Sequence, residues 1–161
     1  MIDTERVVCY GWSFGGFLTA RLTQHQKYKH IWKAVCIDNP VIDLNYMRSA
    51  SDIPDWISGC VFNRPFDLCS FSSEEASILH DRSPISKVSE TKAPTLILLG
   101  DSDLRVPNHQ AQLYLNALKH SGVDCRLIKY PGEGHTIAAK VDCVADYAIN
   151  MSLWFGKYLN K

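Results

Sequence analysis

Tyr10-Gly11-Trp12-Ser13-Phe14-Gly15-Gly16 is the stretch on which the reading of this chain turns. An apolar run, Arg6-Val7-Val8-Cys9-Tyr10, precedes it, and Phe17-Leu18-Thr19-Ala20-Arg21-Leu22, a helix-forming sequence, follows. Strand, Gly-x-Ser-x-Gly and helix in that order define a nucleophile elbow, in which a serine on a tight strand-to-helix turn lifts its hydroxyl clear of the sheet. Such a turn forces a strained backbone on the serine and a close approach of the segments around it. Gly11 and Gly15 are therefore expected where a Cβ would collide with the neighbouring strand or helix. The helix that follows aims its free N–H groups and positive dipole end back at the serine.

Outward from the elbow, the chain alternates strands and helices. After a short polar start at Met1–Glu5, strands are predicted at 6–10, 32–37, 95–99 and 125–130. The third, Thr95-Leu96-Ile97-Leu98-Leu99, is opened by Pro94, closed by Gly100 and apolar on both faces, as a buried parallel strand must be. Helices are predicted at 15–26, 108–121 and 141–159. In the last, Val144, Tyr147, Ala148, Met151, Trp154, Phe155 and Tyr158 recur at helical spacing and read as core. The stretch 41–89 is less regular: Pro54, Pro65 and Pro84 break it, and it reads as an insertion of short helices near 42–48, 54–62 and 73–81 over the sheet edge. The fold class is α/β, with about four parallel strands, flanking helices and right-handed crossovers.

Composition narrows the function. The 161 residues make one domain, and 46% hydrophobic content suffices for a core. Lys and Arg total 17, as do Asp and Glu, and no basic stripe or tail appears, which argues against nucleic acid and anionic membrane as partners. No apolar run is long enough for a membrane span, and no signal segment opens the chain. Cys9, Cys36, Cys60, Cys69, Cys125 and Cys143 form no C-x-x-C pair and read as free thiols of a reducing cytoplasm. No Cys/His cluster has metal-ligand spacing, and neither metal nor cofactor is expected.

Candidate chemistry gathers at the carboxyl ends of the strands, where parallel sheets place their working residues. Ser13 follows the first strand, Gly100-Asp101-Ser102-Asp103 the third, and Pro131-Gly132-Glu133-Gly134-His135 the fourth. Ser…Asp…His is the triad order of an α/β-hydrolase. In these roles Ser13 is the nucleophile, His135 its general base, and Asp103 the group that orients the imidazole. The Phe14 backbone N–H would donate to the oxyanion. Asp101 and Asp103 both suit a turn. Asp103 is preferred because it sits further into the loop, where it can turn back to His135. The histidines at 25, 30, 80, 109 and 120 fall on polar stretches and read as solvated. Asp52 and Asp55, flanking Pro54, read as a structural turn rather than as paired carboxylates.

Gly11-Trp12-Ser13-Phe14-Gly15-Gly16, Asn39-Pro40-Val41-Ile42, Asp52-Ile53-Pro54-Asp55-Trp56, Ser83-Pro84-Ile85, Gly100-x-x-Asp103-x-Arg105-Val106-Pro107 and the late His135 together resemble the acylaminoacyl-peptidase (acylamino-acid-releasing enzyme) branch of the prolyl oligopeptidase family of serine peptidases. The resemblance covers nearly the whole chain. It implies that Ser13, Asp103 and His135 are the triad, and that the reaction releases an N-acylated, typically acetylated, residue from the blocked end of a short peptide. It also implies a β-propeller domain and further hydrolase strands, which are not found here, so residues 1–161 correspond to the C-terminal half of an α/β-hydrolase catalytic domain. On that reading the chain is a fragment, or a piece needing a partner or a second copy, with its elbow strand an exposed apolar edge. Two alternatives stay open: a small-molecule esterase, and an inactive module that binds a partner through that edge.

Overall fold

A computed structural model of the chain describes residues 3–67 and 69–160. Met1 and Ile2 of the short polar start lie outside the described residues. Four parallel strands form one sheet in the order β1 (Val7–Trp12), β2 (Trp32–Asp38), β3 (Thr95–Gly100), β4 (Cys125–Tyr130). Sequential order with parallel pairing means that every connection crosses over a face of the sheet. Helices α1 (Phe14–Gln24), α2 (Leu44–Ala50), α3 (Asp55–Phe62), α4 (Ser73–Arg82), α5 (His109–His120) and α6 (Val141–Leu159) supply most of the connections, with a 3₁₀ segment at Pro84–Glu90.

The period-2 alternation of the central strands separates two cores. Ile37, Ile97 and Leu99 point to one face, where Ala20 of α1 and Ala111, Tyr114, Leu115 and Leu118 of α5 cover them. Ala34, Cys36, Leu96 and Leu98 point to the other, under Trp154 and Tyr158 of α6. All six residues of β3 are buried, which is why its sequence is apolar without alternation. Tyr147, Met151 and Phe155 join the α6 core, but Val144 and Ala148 do not. In the first half of α6 Tyr147 meets Tyr10 of β1, an edge strand, and Val144 flanks a cleft with Tyr10 and Trp12 instead of meeting a covered sheet.

The helices of the 41–89 stretch do not lie over the sheet edge. Their own core joins Leu44, Met47, Ile57 and Leu79 to Val41 and Val106, which follow β2 and β3, so they cap the carboxyl ends of the central strands. Two local devices hold them. Asp43 caps α2 by accepting from the Asn45 and Tyr46 N–H groups, and Ser72 and Glu75 form a capping box at α4. Ser83, fully buried, then staples α2 to α4: its hydroxyl donates to the Leu79 carbonyl at 2.6 Å and accepts from the Leu44 N–H at 2.9 Å.

Candidate active site

Ser13 sits between β1 and α1 with φ 59° and ψ −122°, a region that residues with a side chain avoid. What holds it there is main chain. Its N–H donates to the Asp38 carbonyl at 2.8 Å, and its own carbonyl accepts from Gly16 and Val41 at 3.0 and 3.3 Å. The glycines around it divide differently from expectation. A Cβ on Gly11 would lie 2.1 Å from the Gly15 carbonyl oxygen, and one on Gly16 would lie 2.7 Å from the Pro40 Cβ. A Cβ on Gly15 would meet nothing within 4 Å. The crowded pair is Gly11 and Gly16, because α1 leaves the turn with Gly16 facing the loop after β2.

Three strand ends converge on the serine. His135 Nε2 lies 2.8 Å from Ser13 Oγ, and His135 Nδ1 lies 2.8 Å from Asp103 Oδ2. The other Asp103 oxygen accepts from the Arg105 and Val106 N–H groups at 2.8 and 3.0 Å, so a wholly buried carboxylate has every contact a charge needs. Both nitrogens of the imidazole are thereby assigned: Nδ1 carries the proton donated to Asp103, and the Nε2 lone pair faces the serine hydroxyl. Asp101 does other work. Its Oδ1 accepts from the Gly132 N–H at 2.7 Å and so ties the β3 loop to the β4 loop. The histidines at 25, 30, 80, 109 and 120 are all exposed. Asp52 makes an exposed ion pair with Arg105 at 2.6 Å, and Asp55 opens α3. Among the described residues, no group of three or more His, Cys, Asp or Glu has the arrangement of a metal site.

The surroundings of the serine are aromatic. Phe14 stacks on Phe17 with centroids 4.8 Å apart and meets Trp56 edge-on at 5.4 Å. On the opposite side Trp12 packs on the His135 ring at 4.9 Å. Phe14 and Gly15 open α1, so neither N–H has an intrahelical acceptor, and the positive end of the helix faces the turn. Near this group Asp38, at the carboxyl end of β2, is buried with Oδ1 unpartnered among the described residues. Burial pushes its carboxyl up to about 7, against the modest opposing effect of the Tyr10 hydroxyl.

Sequence reasoning missed two polar residues that build this arrangement. Asn39, immediately after β2, bonds to both the end of β3 and the histidine loop. Gln110 of α5, buried, accepts from the Ile42 and Asp43 N–H groups at 2.6 and 2.7 Å and fixes the loop after β2. A polar residue closing an apolar strand just before a proline was the available signal for Asn39. Nothing local marked Gln110.

The family model of prolyl oligopeptidases matches residues 1–161. The chain belongs to the prolyl oligopeptidase family. It is 36% identical over 160 residues to the acylamino-acid-releasing enzyme of Arabidopsis thaliana, an alignment covering 97% of this chain and 20% of that protein. To the enzyme of the same name from Homo sapiens it is 34% identical over 160 residues, covering 98% of this chain and 21% of that one. It thus spans about a fifth of the length of these members of the family. Among solved structures, Pyrococcus horikoshii acylaminoacyl peptidase superposes with a TM-score of 0.79 at 23% identity, covering 99% of this chain and 25% of that one. A Mycobacterium tuberculosis puromycin-hydrolyzing peptidase superposes at 0.82 with 24% identity, covering 99% and 23%. The four-stranded parallel sheet with its flanking helices is accordingly a part of the α/β-hydrolase fold of these peptidases. Among the described residues, no helix is long and apolar enough to cross a membrane.

Proposed function

We propose that the chain carries the catalytic triad of a serine peptidase of the acylaminoacyl-peptidase type, with Ser13 as nucleophile, His135 as general base and acid, and Asp103 as the group that orients and charge-balances the imidazole. The observation that carries this reading is the pair of 2.8 Å contacts running Ser13 Oγ, His135, Asp103 at a serine with φ 59°. The proposed substrate is a short peptide whose first residue is N-acylated, and the bond cleaved is the one after that residue. Similarity to the acylamino-acid-releasing enzymes supports this choice.

Ser13 Oγ attacks the carbonyl carbon while His135 Nε2 accepts its proton, and the imidazolium is stabilised by Asp103. The carbonyl π-electrons move onto oxygen, where the Phe14 N–H donates to the developing oxyanion at the positive end of α1. As the tetrahedral species collapses, the C–N bond breaks and His135 returns its proton to the departing peptide amine. Water then attacks the acyl-serine ester, His135 takes one of its protons, and the N-acylated amino acid leaves as Ser13 recovers its hydrogen.

The test is turnover of N-acetyl-alanine p-nitroanilide beside alanine p-nitroanilide and p-nitrophenyl acetate. Cleavage of the acetylated anilide, absence of cleavage of the free-amine anilide, and loss of activity in Ser13→Ala are expected. Cleavage of the ester alone would move the assignment to an esterase.

A further inference from the structure

His135 has to present two ring nitrogens to two partners at once, yet it follows Gly134 in a loop and has no strand or helix of its own. Its main chain is held at one atom. The His135 carbonyl oxygen accepts from Asn39 Nδ2 at 3.0 Å and from Trp12 Nε1 at 2.7 Å. Asn39 is 1% exposed, and its amide is used at both ends: Nδ2 also approaches the Gly134 carbonyl at 3.2 Å, while Oδ1 accepts from the Gly100 N–H at 2.9 Å. Its own N–H donates to the Leu98 carbonyl at 3.0 Å, and its φ of 39° turns the side chain across the sheet end. Gly100 makes this reach feasible, because a Cβ there would sit 2.2 Å from the Gly134 carbonyl oxygen and hold the histidine loop away. Trp12 comes from the opposite direction, as the residue before the nucleophile, and adds its ring against the imidazole.

We propose that Asn39 and Trp12 form a positioning clamp on the His135 carbonyl, which sets the imidazole between Ser13 and Asp103. The inference rests on the triad reading of the same site; both residues hold the His135 main chain, and Trp12 also packs on the imidazole. One member comes from the end of β1 and one from the end of β2, so the clamp registers the histidine against the two strand ends that also hold the serine. The fork geometry matters more than polarity. Only a side chain with a donor and an acceptor on one planar group can take the Gly100 N–H and give to the loop carbonyls together. Replacement by a carboxylate, as in Asn39→Asp, would set an oxygen against two carbonyl oxygens.

The test uses the whole chain in three variants: Trp12→Phe, which keeps the ring and loses the N–H; Asn39→Ala; and Asn45→Ala as a control away from the site. Two quantities are read. One is the rate at which a fluorescent fluorophosphonate labels Ser13. The other is the strongly downfield NMR resonance of the His135 Nδ1 proton in its bond to Asp103. The clamp expects labelling to slow about tenfold in Trp12→Phe and about 100-fold in Asn39→Ala, the range associated with displacing a reacting group by an ångström or less. It expects the resonance to broaden or vanish in both, with both intact in Asn45→Ala and Tm unchanged in Trp12→Phe. Wild-type rates and an unchanged resonance in folded Trp12→Phe and Asn39→Ala would overturn it. If Asn39→Ala does not fold, Trp12→Phe decides, since Trp12 lies at the surface. A wild-type chain that shows the resonance but does not label would refute the hydrolase reading, while the resonance in the variants still decides the clamp. A wild-type chain without the resonance would overturn both.

Discussion

Gly11→Ala is the sharpest perturbation that the elbow allows. The new methyl carbon would lie 2.1 Å from the Gly15 carbonyl oxygen, 2.3 Å from its carbonyl carbon and 2.5 Å from Thr19 Oγ1. Two of the three are backbone atoms of α1, so no rotamer change relieves the contact. The start of the helix must retreat by about 1 Å, since Cβ–backbone contacts need roughly 3 Å. Overpacking of this kind costs up to about 3 kcal/mol, equivalent to a fall in Tm of roughly 6–12 °C for a chain of this length. The same retreat carries the Phe14 N–H away from the place a bound phosphoryl oxygen would take beside Ser13, and labelling by a fluorophosphonate should fall about 100-fold. Gly15→Ala is the matched control. Its methyl group meets nothing within 4 Å, its φ is ordinary, and it gains helix propensity of up to about 1 kcal/mol. Thermal melts of the two variants, run beside labelling, check the argument. A Gly11→Ala chain with wild-type Tm and labelling would refute it, as would a Gly15→Ala chain damaged to the same degree.

Three further outcomes are expected. Asp103→Asn should lower the rate of Ser13 acylation by about 10⁴, through the wrong imidazole tautomer, whereas Asp101→Asn, which can still accept from the Gly132 N–H, should leave the rate nearly unchanged. Asp38 has its carboxyl raised to about 7 by burial, so between about pH 4 and pH 7 the folded chain keeps a proton that the unfolded chain has released. Stability should therefore fall as pH rises through that window, by a few kcal/mol, and Asp38→Asn should flatten the fall in urea melts at pH 5 and pH 8. Ellman titration of the native chain should find Cys60 and Cys69 fast and Cys36 silent until unfolding, because Cys36 is fully buried and its thiol is pushed up by that burial.

The α/β architecture was legible because its signals are local. The apolar runs at 95–99 and 125–130 correspond to β3 and β4, and the recurrence from Val141 to Leu159 matches α6 to the residue. Ser13, Asp103 and His135 each follow an apolar strand at the end where parallel sheets carry their loops, and the structure brings these three side chains within hydrogen-bond distance of one another. Loop reach favours Asp103 over Asp101 as the partner of His135, and the two carboxylates bond in different directions, Asp103 to His135 and Asp101 to Gly132. What sequence reasoning missed depends on contacts distant in the chain. The crowding at Gly16 comes from Pro40, the clamp on His135 from Asn39 and Trp12, and the support of the loop after β2 from Gln110. Apart from the polar residue before a proline at Asn39, no local pattern registers these partners. The exposure of Val144 and Ala148 has a similar origin: helical periodicity marks one face of α6, but only the sheet order puts the edge strand β1 near part of that face.

We propose that Ser13 is an activated nucleophile, held by His135 and Asp103. Incubating the purified chain with a fluorophosphonate and mapping the adduct by peptide mass spectrometry tests it most directly. A single adduct on Ser13, formed in the wild-type chain and absent from His135→Ala and Ser13→Ala, is the result expected. A folded wild-type chain that stays unmodified, or that is modified equally at other serines, would contradict it.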